Sequence, residues 1–241
     1  MYEMCNAWER NSGRTIYRVL QTGDLGIFAS EHDLDRATRK HAKRDSTELG
    51  AIPYVTGSKI PTHKTIFVAG NHEDFNFLRK HENQTIDPSG RLYYLASSVV
   101  EVNSEDEHVY VAGYSGIHPQ TPNENRAEAG RGFRHHDLEA SELLMKHDAK
   151  TDILLTHDGP ACEELERTHG KGAGSPVVRK LIEKLQPRFA VFGHYGRPPE
   201  PFMISNTLVV PMNNSRALTV PKRHGGMGIL DTDSWKFSFV L

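Results

Sequence analysis

Four side chains of the types that hold metal ions each follow a short apolar run: Asp24, Asn71, His157 and His194. Because the carboxyl ends of strands in an α/β sheet open onto a common crevice, we expect these four to lie together. A carboxylate, an amide oxygen and two imidazoles suit Mn²⁺, Fe²⁺ or Zn²⁺ better than Ca²⁺, which prefers oxygen ligands alone. Each turn taken singly is an ordinary end of a strand and would not indicate a metal site. It is the combination of all four that predicts a metal centre.

The elements that would position these residues are short strands. Apolar runs rich in β-branched or aromatic residues predict eight of them. They cover residues 16–20, 65–68, 99–102, 109–112, 153–155, 189–192, 208–210 and 227–230. A turn that carries one of the four candidate ligands follows four of these strands.

Helical patterns alternate with the strands in the first and middle parts of the chain. The clearest one covers residues 176–185, where Ser175 is an N-cap, Pro176 occupies the first helical position and Gln186-Pro187 ends the helix. A second helix is predicted over residues 138–147 and a polar surface helix over residues 34–43. The last 50 residues favour strands and turns, so we predict a layered α/β protein.

Composition narrows the class of protein. The chain has 241 residues and 37% hydrophobic content, which is enough for one domain over residues 1–241. A net charge of −2 lacks the broad electrostatic footprint of a dedicated DNA- or membrane-binding protein. Two cysteines, no signal-like start and no long apolar span predict a cytoplasmic protein without membrane contact.

The turn Gly70-Asn71-His72-Glu73 is the most specific motif in the chain. With it, the sequence resembles the calcineurin-like metallophosphoesterase family, whose signature runs D-x-H, G-D-x-x-D/E, G-N-H-E/D, a lone H and G-H-x-H. Gly23-Asp24 matches the second motif, Thr156-His157-Asp158 the fourth, and Gly193-His194 the first half of the fifth. The resemblance implies a four-layer α/β/β/α sandwich that hydrolyses phosphoesters.

Within that family the sequence is similar to the RNA lariat debranching enzymes. The shared features are Tyr94-Leu95, Gly113-Tyr114-Ser115-Gly116-Ile117, Leu155-Thr156-His157-Asp158-Gly159-Pro160, Gly174-Ser175-Pro176 and Leu185-Gln186-Pro187. They are looser than the Gly-Asn-His-Glu motif. They support kinship with that branch and do not by themselves establish a debranching substrate.

Two departures from the family pattern concern one of its two metal ions. The D-x-H motif is not recognisable, and Gly196 stands where the last histidine of G-H-x-H belongs. By the resemblance, Asp24, Asn71, His157 and His194 keep the full ligand set of the other ion. We therefore expect one ion, against two in the family. The open alternative is a sequence that lacks the first strand because its start codon was placed too far downstream, with Glu3 and Cys5 as a remnant of D-x-H.

The resemblance also suggests catalytic roles. His72 resembles the family's catalytic histidine, which protonates the leaving group or stabilises charge on the phosphoryl group, and we interpret it as an acid and not as a ligand. Glu73 and Asp158 are interpreted as groups that orient imidazoles or loops. The predicted reaction is hydrolysis of a phosphomonoester or phosphodiester, in a nucleotide or RNA, by a hydroxide that the metal activates. The alternative is a degenerate or truncated member that binds a ligand or partner without catalysis.

Further polar segments have a functional and an ordinary interpretation. The segment 170–175 is a phosphate loop or a flexible loop with a helix cap. A group of arginines and histidines after Gly116 has two interpretations, as residues that bind a phosphodiester or as part of a solvated loop. The group consists of Arg126, Arg131, Arg134, His135 and His136. The remaining candidates are His118 at the cleft or on the surface, His32, Asp33 and Asp35 as replacement ligands or helix caps, and Lys222, Arg223 and His224 in a hairpin turn.

Overall fold

Two β-sheets form the centre of the fold in a computed structural model of the chain. The structure describes residues 1–34, 36–43, 49–103, 108–118, 138–146, 150–213 and 225–240. Within this part of the chain no helix is both long and apolar enough to cross a membrane.

The first sheet has four strands in the order β1-β2-β4-β3. They are β1 (Val19–Gln21), β2 (Thr65–Phe67), β3 (Gln84–Thr85) and β4 (Leu92–Tyr94). The strands β1, β2 and β4 are parallel, and β3 pairs antiparallel with β4. The carboxyl ends of β1 and β2 therefore point the same way.

The second sheet has six strands in the order β5-β6-β7-β8-β10-β9. They are β5 (Ser97–Asn103), β6 (His108–Tyr114), β7 (Ile153–Thr156), β8 (Phe189–Phe192), β9 (Phe202–Ile204) and β10 (Thr207–Pro211). Its four central strands are parallel, and β5 and β9 are antiparallel edges. A separate hairpin follows, made of β11 (Gly228–Asp231) and β12 (Lys236–Phe239).

Alternation along the strands builds the core between the two sheets. Ile66 and Val68 of the first sheet share a buried cluster with Val111, Leu155 and Val210 of the second. Successive side chains of a strand point to opposite faces, so their neighbours must be buried on the outer faces. Covering both outer faces requires two further layers.

Helices supply these outer layers. They are α1 (Tyr2–Ser12), α2 (Arg36–Ala42), α3 (Ile52–Val55), α4 (Phe75–Leu78), α5 (Leu138–Met145), α6 (Glu163–His169) and α7 (Pro176–Leu185). Tyr2 of α1 and Leu78 of α4 are buried with Phe67 against the first sheet. Leu165 of α6 and Leu181 of α7 cover the second sheet. The order of layers is α/β/β/α, which confirms the predicted fold class.

Helix α7 shows how its sequence fixes both of its ends. The Ser175 side chain accepts a hydrogen bond from the Val178 N–H, and Pro176 occupies the first turn, as predicted. Gln186 ends the helix in the left-handed conformation. Helix α5 begins at the predicted Leu138, while His147 lies outside the described residues.

The start of the chain differs from expectation. Residues 2–12 form helix α1, so Glu3 and Cys5 lie in a helix and not at a strand end, with Glu3 exposed and Cys5 buried. The strand predicted over 16–20 is shifted to Val19–Gln21. The Ile16 N–H donates to Glu9 Oε1 of α1, whereas the bond of the Val19 N–H to Lys64 O leads into the sheet.

Candidate metal centre

The predicted ligands occupy turns after strands of both sheets. Asp24 follows β1 and Asn71 follows β2 in the first sheet, while His157 follows β7 and His194 follows β8 in the second. Each pair of strands is parallel and adjacent. The four side chains consequently meet at one end of the sandwich.

Three contacts join these side chains, and all three end on the same nitrogen. His157 Nε2 lies 3.1 Å from Asn71 Oδ1, 3.2 Å from His194 Nδ1 and 3.4 Å from Asp24 Oδ2. The His157 side chain is 2% exposed, whereas Asp24 keeps 33% of its side-chain surface. The cluster is therefore buried at its base and open to solvent at its rim.

The opposite nitrogen of His157 decides what this cluster can bind. Nδ1 lies 2.6 Å from the main-chain carbonyl oxygen of Thr22, which only accepts hydrogen bonds, so Nδ1 carries the proton in the neutral ring. Nε2 then directs a lone pair at a carboxylate and an amide oxygen. Electron pairs that face each other need a cation or a proton between them, and the mixed oxygen and nitrogen set fits a divalent transition-metal ion.

Asn71 is an essential part of this donor set. Among the described residues, His, Cys, Asp and Glu side chains alone form no group of three that could hold a metal ion. The amide oxygen of Asn71, 3.1 Å from His157 Nε2, adds a donor that such a grouping leaves out.

Burial and charge interactions together set the pKa values of the cluster. Burial raises the pKa of Asp24, but the interactions with His157 and then with His72 lower it by a larger amount. The net pKa of Asp24 therefore lies well below its usual range. Burial lowers the pKa of His157, yet Asp24 outweighs burial and the net shift is upward. For His194, burial and then His157 both lower the pKa. The carboxylate of Asp24 therefore stays ionised.

Two of the four residues have an unusual backbone conformation. Asp24 has φ 53° and His194 has φ 68°, in the left-handed region that few residues other than glycine adopt. Such a conformation costs free energy and persists only where surrounding contacts fix it. The strain is located at the two most exposed of the four candidate ligands, as expected for a functional site.

Close packing of glycines holds the turns together. A Cβ atom on Gly23 would overlap the His157 ring, one on Gly70 would overlap the Asp24 carboxylate, and one on Gly193 would overlap Thr22 Oγ1. These glycines allow turns of both sheets to approach within contact distance. Beside them, Ala69 N donates to Ser115 Oγ at 2.9 Å and links the two sheets directly.

The Asp24 carboxylate also positions His72, the predicted acid. Asp24 Oδ1 accepts hydrogen bonds from the N–H groups of Asn71 and His72, at 2.8 and 2.9 Å. His72 is half-buried, and its charge acts on both Asp24 and His194. The structure thus brings His72 to the rim of the cluster.

Glu73 and Asp158 hold loops around the site. Glu73 is 3% exposed and accepts hydrogen bonds from the N–H groups of Leu25 (3.0 Å) and Ile27 (2.5 Å). Burial, and then the Asp24 charge, raise the pKa of Glu73 to about 8. Asp158 is also 3% exposed and accepts hydrogen bonds from the N–H of His118 and the hydroxyl of Tyr195, both at 2.8 Å.

In the glycine-rich loop before α7, several main-chain N–H groups donate hydrogen bonds to other parts of the protein. Gly172 N donates to Glu166 Oε1, Gly174 N to the Tyr195 hydroxyl and Ser175 N to Gly159 O. These groups are no longer available to a phosphate, so the structure favours the interpretation as an ordinary loop with a helix cap.

The other candidates have varied positions. His32 and Asp33 lie exposed in the 3-10 turn Glu31–Asp33, whose Ser30 cap accepts from the His32 N–H. His118 is half-buried and reaches Asp158 through its main chain. A Cβ on Gly196 would meet no atom within 4 Å. Outside the described residues lie Asp35, Arg126, Arg131, Arg134, His135, His136, Lys222, Arg223 and His224.

Sequence reasoning missed the contributions of Thr22 and Tyr195. Thr22 acts through its main-chain carbonyl, which leaves no signal in the residue type. Tyr195 was detectable only as the neighbour of His194.

Two sheets between helical layers, with a cluster of oxygen and nitrogen donors where strands of both sheets end, define a four-layer α/β protein with a candidate metal centre. The family profile of the calcineurin-like phosphoesterases matches residues 6–198. The chain belongs to this family, which confirms the resemblance inferred from the Gly-Asn-His-Glu turn.

Similar proteins include lariat debranching enzymes. The chain is 25% identical over 218 residues to that of Entamoeba histolytica and 24% identical over 219 residues to that of Arabidopsis thaliana. Each alignment covers 80% of this chain, but only 59% and 50% of those relatives. A solved crystal structure with 19% identity covers 99% of this chain and 82% of its own, with a TM-score of 0.53, which supports the fold.

Proposed function

We propose that the chain is a metal-dependent phosphoester hydrolase, with one divalent ion held by Asp24, Asn71, His157 and His194. The observation that carries this proposal is the position of His157 Nε2, which lies within 3.4 Å of three other donor atoms, Asn71 Oδ1, His194 Nδ1 and Asp24 Oδ2. The membership in the calcineurin-like phosphoesterase family supports it. When bound, a divalent ion would polarise a phosphoryl oxygen and supply hydroxide near neutral pH.

The protein's own residues prepare this centre before substrate arrives. Thr22 fixes the tautomer of His157 through its carbonyl oxygen. Asp24 supplies the negative charge that offsets a cation. Its Oδ1 atom fixes the main chain of Asn71 and His72 by accepting hydrogen bonds from their N–H groups. His72, half-buried at the rim, donates a proton to the leaving oxygen of the substrate.

The donor set suits Mn²⁺, Fe²⁺ or Zn²⁺, because two imidazoles accompany two oxygen donors. We expect one ion per chain from these four residues. Residues 1–241 would act as a single domain around it.

We propose a phosphodiester of a nucleotide or of RNA as the first substrate class to test. The support comes from the relatives, which are named lariat debranching enzymes. The chain's net charge of −2 favours a short substrate over a long polyanion.

The test combines metal content with turnover. After reconstitution with Mn²⁺ and removal of loose ions, about one ion per chain is expected from the four donors, and His157→Ala should lose it. Release of nitrophenol from a bis-nitrophenyl phosphodiester should depend on Mn²⁺ and disappear in Asn71→Ala. If several metals give no rate above that variant, the hydrolase proposal is wrong.

A second candidate is a family member that binds a ligand without turnover. Gly196 favours it, since that residue has no side chain and a Cβ there would meet only open space, so it contributes no donor beside His194. Tight binding of Mn²⁺ together with the absence of any turnover would support this candidate.

A further inference from the structure

We propose that Tyr195 is a positioning residue that sets the spacing of His157 and His194 through a buried hydrogen bond to Asp158. This inference rests on the proposed function, in which both imidazoles hold the metal ion. It concerns a residue outside the four candidate ligands and the proposed acid.

The geometry consists of two parallel contacts between the same two strand ends. His157-Asp158 follows β7, and His194-Tyr195 follows β8. The first residues of each pair face each other, with His194 Nδ1 3.2 Å from His157 Nε2. The second residues are hydrogen-bonded, with the Tyr195 hydroxyl donating to Asp158 Oδ1 at 2.8 Å. The spacing of the second pair therefore fixes the spacing of the first.

Tyr195 is itself held on several sides. Its hydroxyl accepts a hydrogen bond from Gly174 N at 3.0 Å, and its ring contacts Phe192, His169 and His194 with centroids 6.0, 4.6 and 5.1 Å apart. Tyr195 is 9% exposed. A side chain fixed at both its hydroxyl and its ring can hold the strained main chain of its neighbour His194.

Asp158 extends this support to two further segments. Its other oxygen, Oδ2, accepts from His118 N in the turn after β6. The loop that supplies Gly174 N docks on the turn after Asp158, where Ser175 N donates to Gly159 O and Ala161 N to Ser175 O. The hydroxyl of Tyr195 thus lies where four segments around the cluster meet.

The decisive experiment is a calorimetric titration of Tyr195→Phe with Mn²⁺. The variant keeps the ring and removes only the hydroxyl. We expect the apparent dissociation constant for Mn²⁺ to rise about 10-fold, at the lower end of the effect of residues that support metal ligands. Tyr2→Phe is the matched control: it removes the hydroxyl of another buried tyrosine, bonded to Thr65 Oγ1 at 2.9 Å, in helix α1. We expect its Mn²⁺ affinity to equal that of the wild type.

A double-mutant cycle separates positioning from general loss of packing. If Tyr195 acts through Asp158, the combination of Tyr195→Phe with Asp158→Asn should weaken Mn²⁺ binding by less than the product of the two single effects. Independent effects that multiply, or equal affinity in Tyr195→Phe and the wild type, would overturn the inference.

Nitrogen spectra of the histidine side chains in the metal-free chain give a readout independent of metal binding. Tyr195→Phe should shift the resonances of both His157 and His194, while Tyr2→Phe should leave them in place. A wild type that binds no Mn²⁺ would refute the proposed function, and the spectra would still decide the role of Tyr195. Unshifted resonances in Tyr195→Phe would refute that role.

Discussion

At the residue scale, the two oxygens of Asp24 have separate partners. Oδ1 accepts two main-chain N–H groups of the Gly-Asn-His turn, and Oδ2 faces His157. Sequence reasoning could place Asp24, Asn71, His157 and His194 because each has a characteristic donor atom just after a strand. The same reasoning could not reveal Thr22, because every residue has a carbonyl oxygen and only the fold selects the one that is used.

The glycine that packs on this carboxylate gives the first prediction. A Cβ at Gly70 would overlap Asp24 Oδ1, so Gly70→Ala should displace the carboxylate, cost about 1–3 kcal/mol of stability by overpacking and weaken Mn²⁺ binding. Gly196→Ala is the matched control, because a Cβ there meets open space; its stability should change by less than about 0.5 kcal/mol. Urea unfolding and Mn²⁺ titration measure both quantities. Equal behaviour of the two variants would contradict the packing argument.

His72 gives the second prediction. If it protonates the leaving oxygen, His72→Ala should lower kcat by about 10²–10⁴-fold on a diester with an alkoxide leaving group. The loss should be smaller with nitrophenolate, a weaker base that needs less protonation. Bound Mn²⁺ per chain should stay at the wild-type value. A loss of Mn²⁺ in this variant would show that His72 is a ligand and not the acid.

At the element scale, the turn after β2 secures the turn after β1. Glu73 lies in the turn after β2, and its carboxylate accepts hydrogen bonds from the N–H groups of Leu25 and Ile27, which follow β1. The longer strands and α7 were predictable from apolar periodicity and capping residues. Strand β3, at Gln84–Thr85, was not, because two exposed polar residues carry no pattern and only pairing with β4 makes them a strand. Helix α1 was likewise missed.

The link between these turns gives the third prediction. Glu73→Gln replaces one acceptor oxygen by an NH₂ group that cannot accept, so the N–H of Leu25 or of Ile27 loses its partner. We expect a loss of about 1–3 kcal/mol in the free energy of unfolding. Glu183→Gln, on the exposed face of α7 where Glu183 pairs with Arg179, is the control and should change stability by less than about 0.5 kcal/mol. Chemical denaturation of both variants checks this, and a neutral Glu73→Gln would refute the role of the link.

At the scale of the whole molecule, the candidate centre joins the two sheets. Asp24 and Asn71 belong to the first sheet and His157 and His194 to the second, so a bound ion would connect the two halves of the sandwich. The four-layer arrangement was predicted through the family resemblance. The register that brings Thr22 O to His157 Nδ1 was not, because it depends on how the two sheets pack against each other.

This connection gives the fourth prediction. An ion that binds only the folded chain adds about 2.7 kcal/mol at 100 times its dissociation constant. For a chain of this size that corresponds to a rise in Tm of about 5–10 °C. Thermal scans with Mn²⁺ and with a chelator measure it. His157→Ala should show no difference between the two conditions, and a wild type insensitive to Mn²⁺ would contradict the proposed centre.

The placement of the cluster also has a consequence for the order of events during folding. His157 contacts Thr22 across 135 residues and Asn71 across 86. Contacts between such distant segments form late, since the chain must first close long loops. During refolding, uptake of Mn²⁺ should therefore lag behind the formation of helices and of each separate sheet, and the ion would act as a reporter of the final docking step.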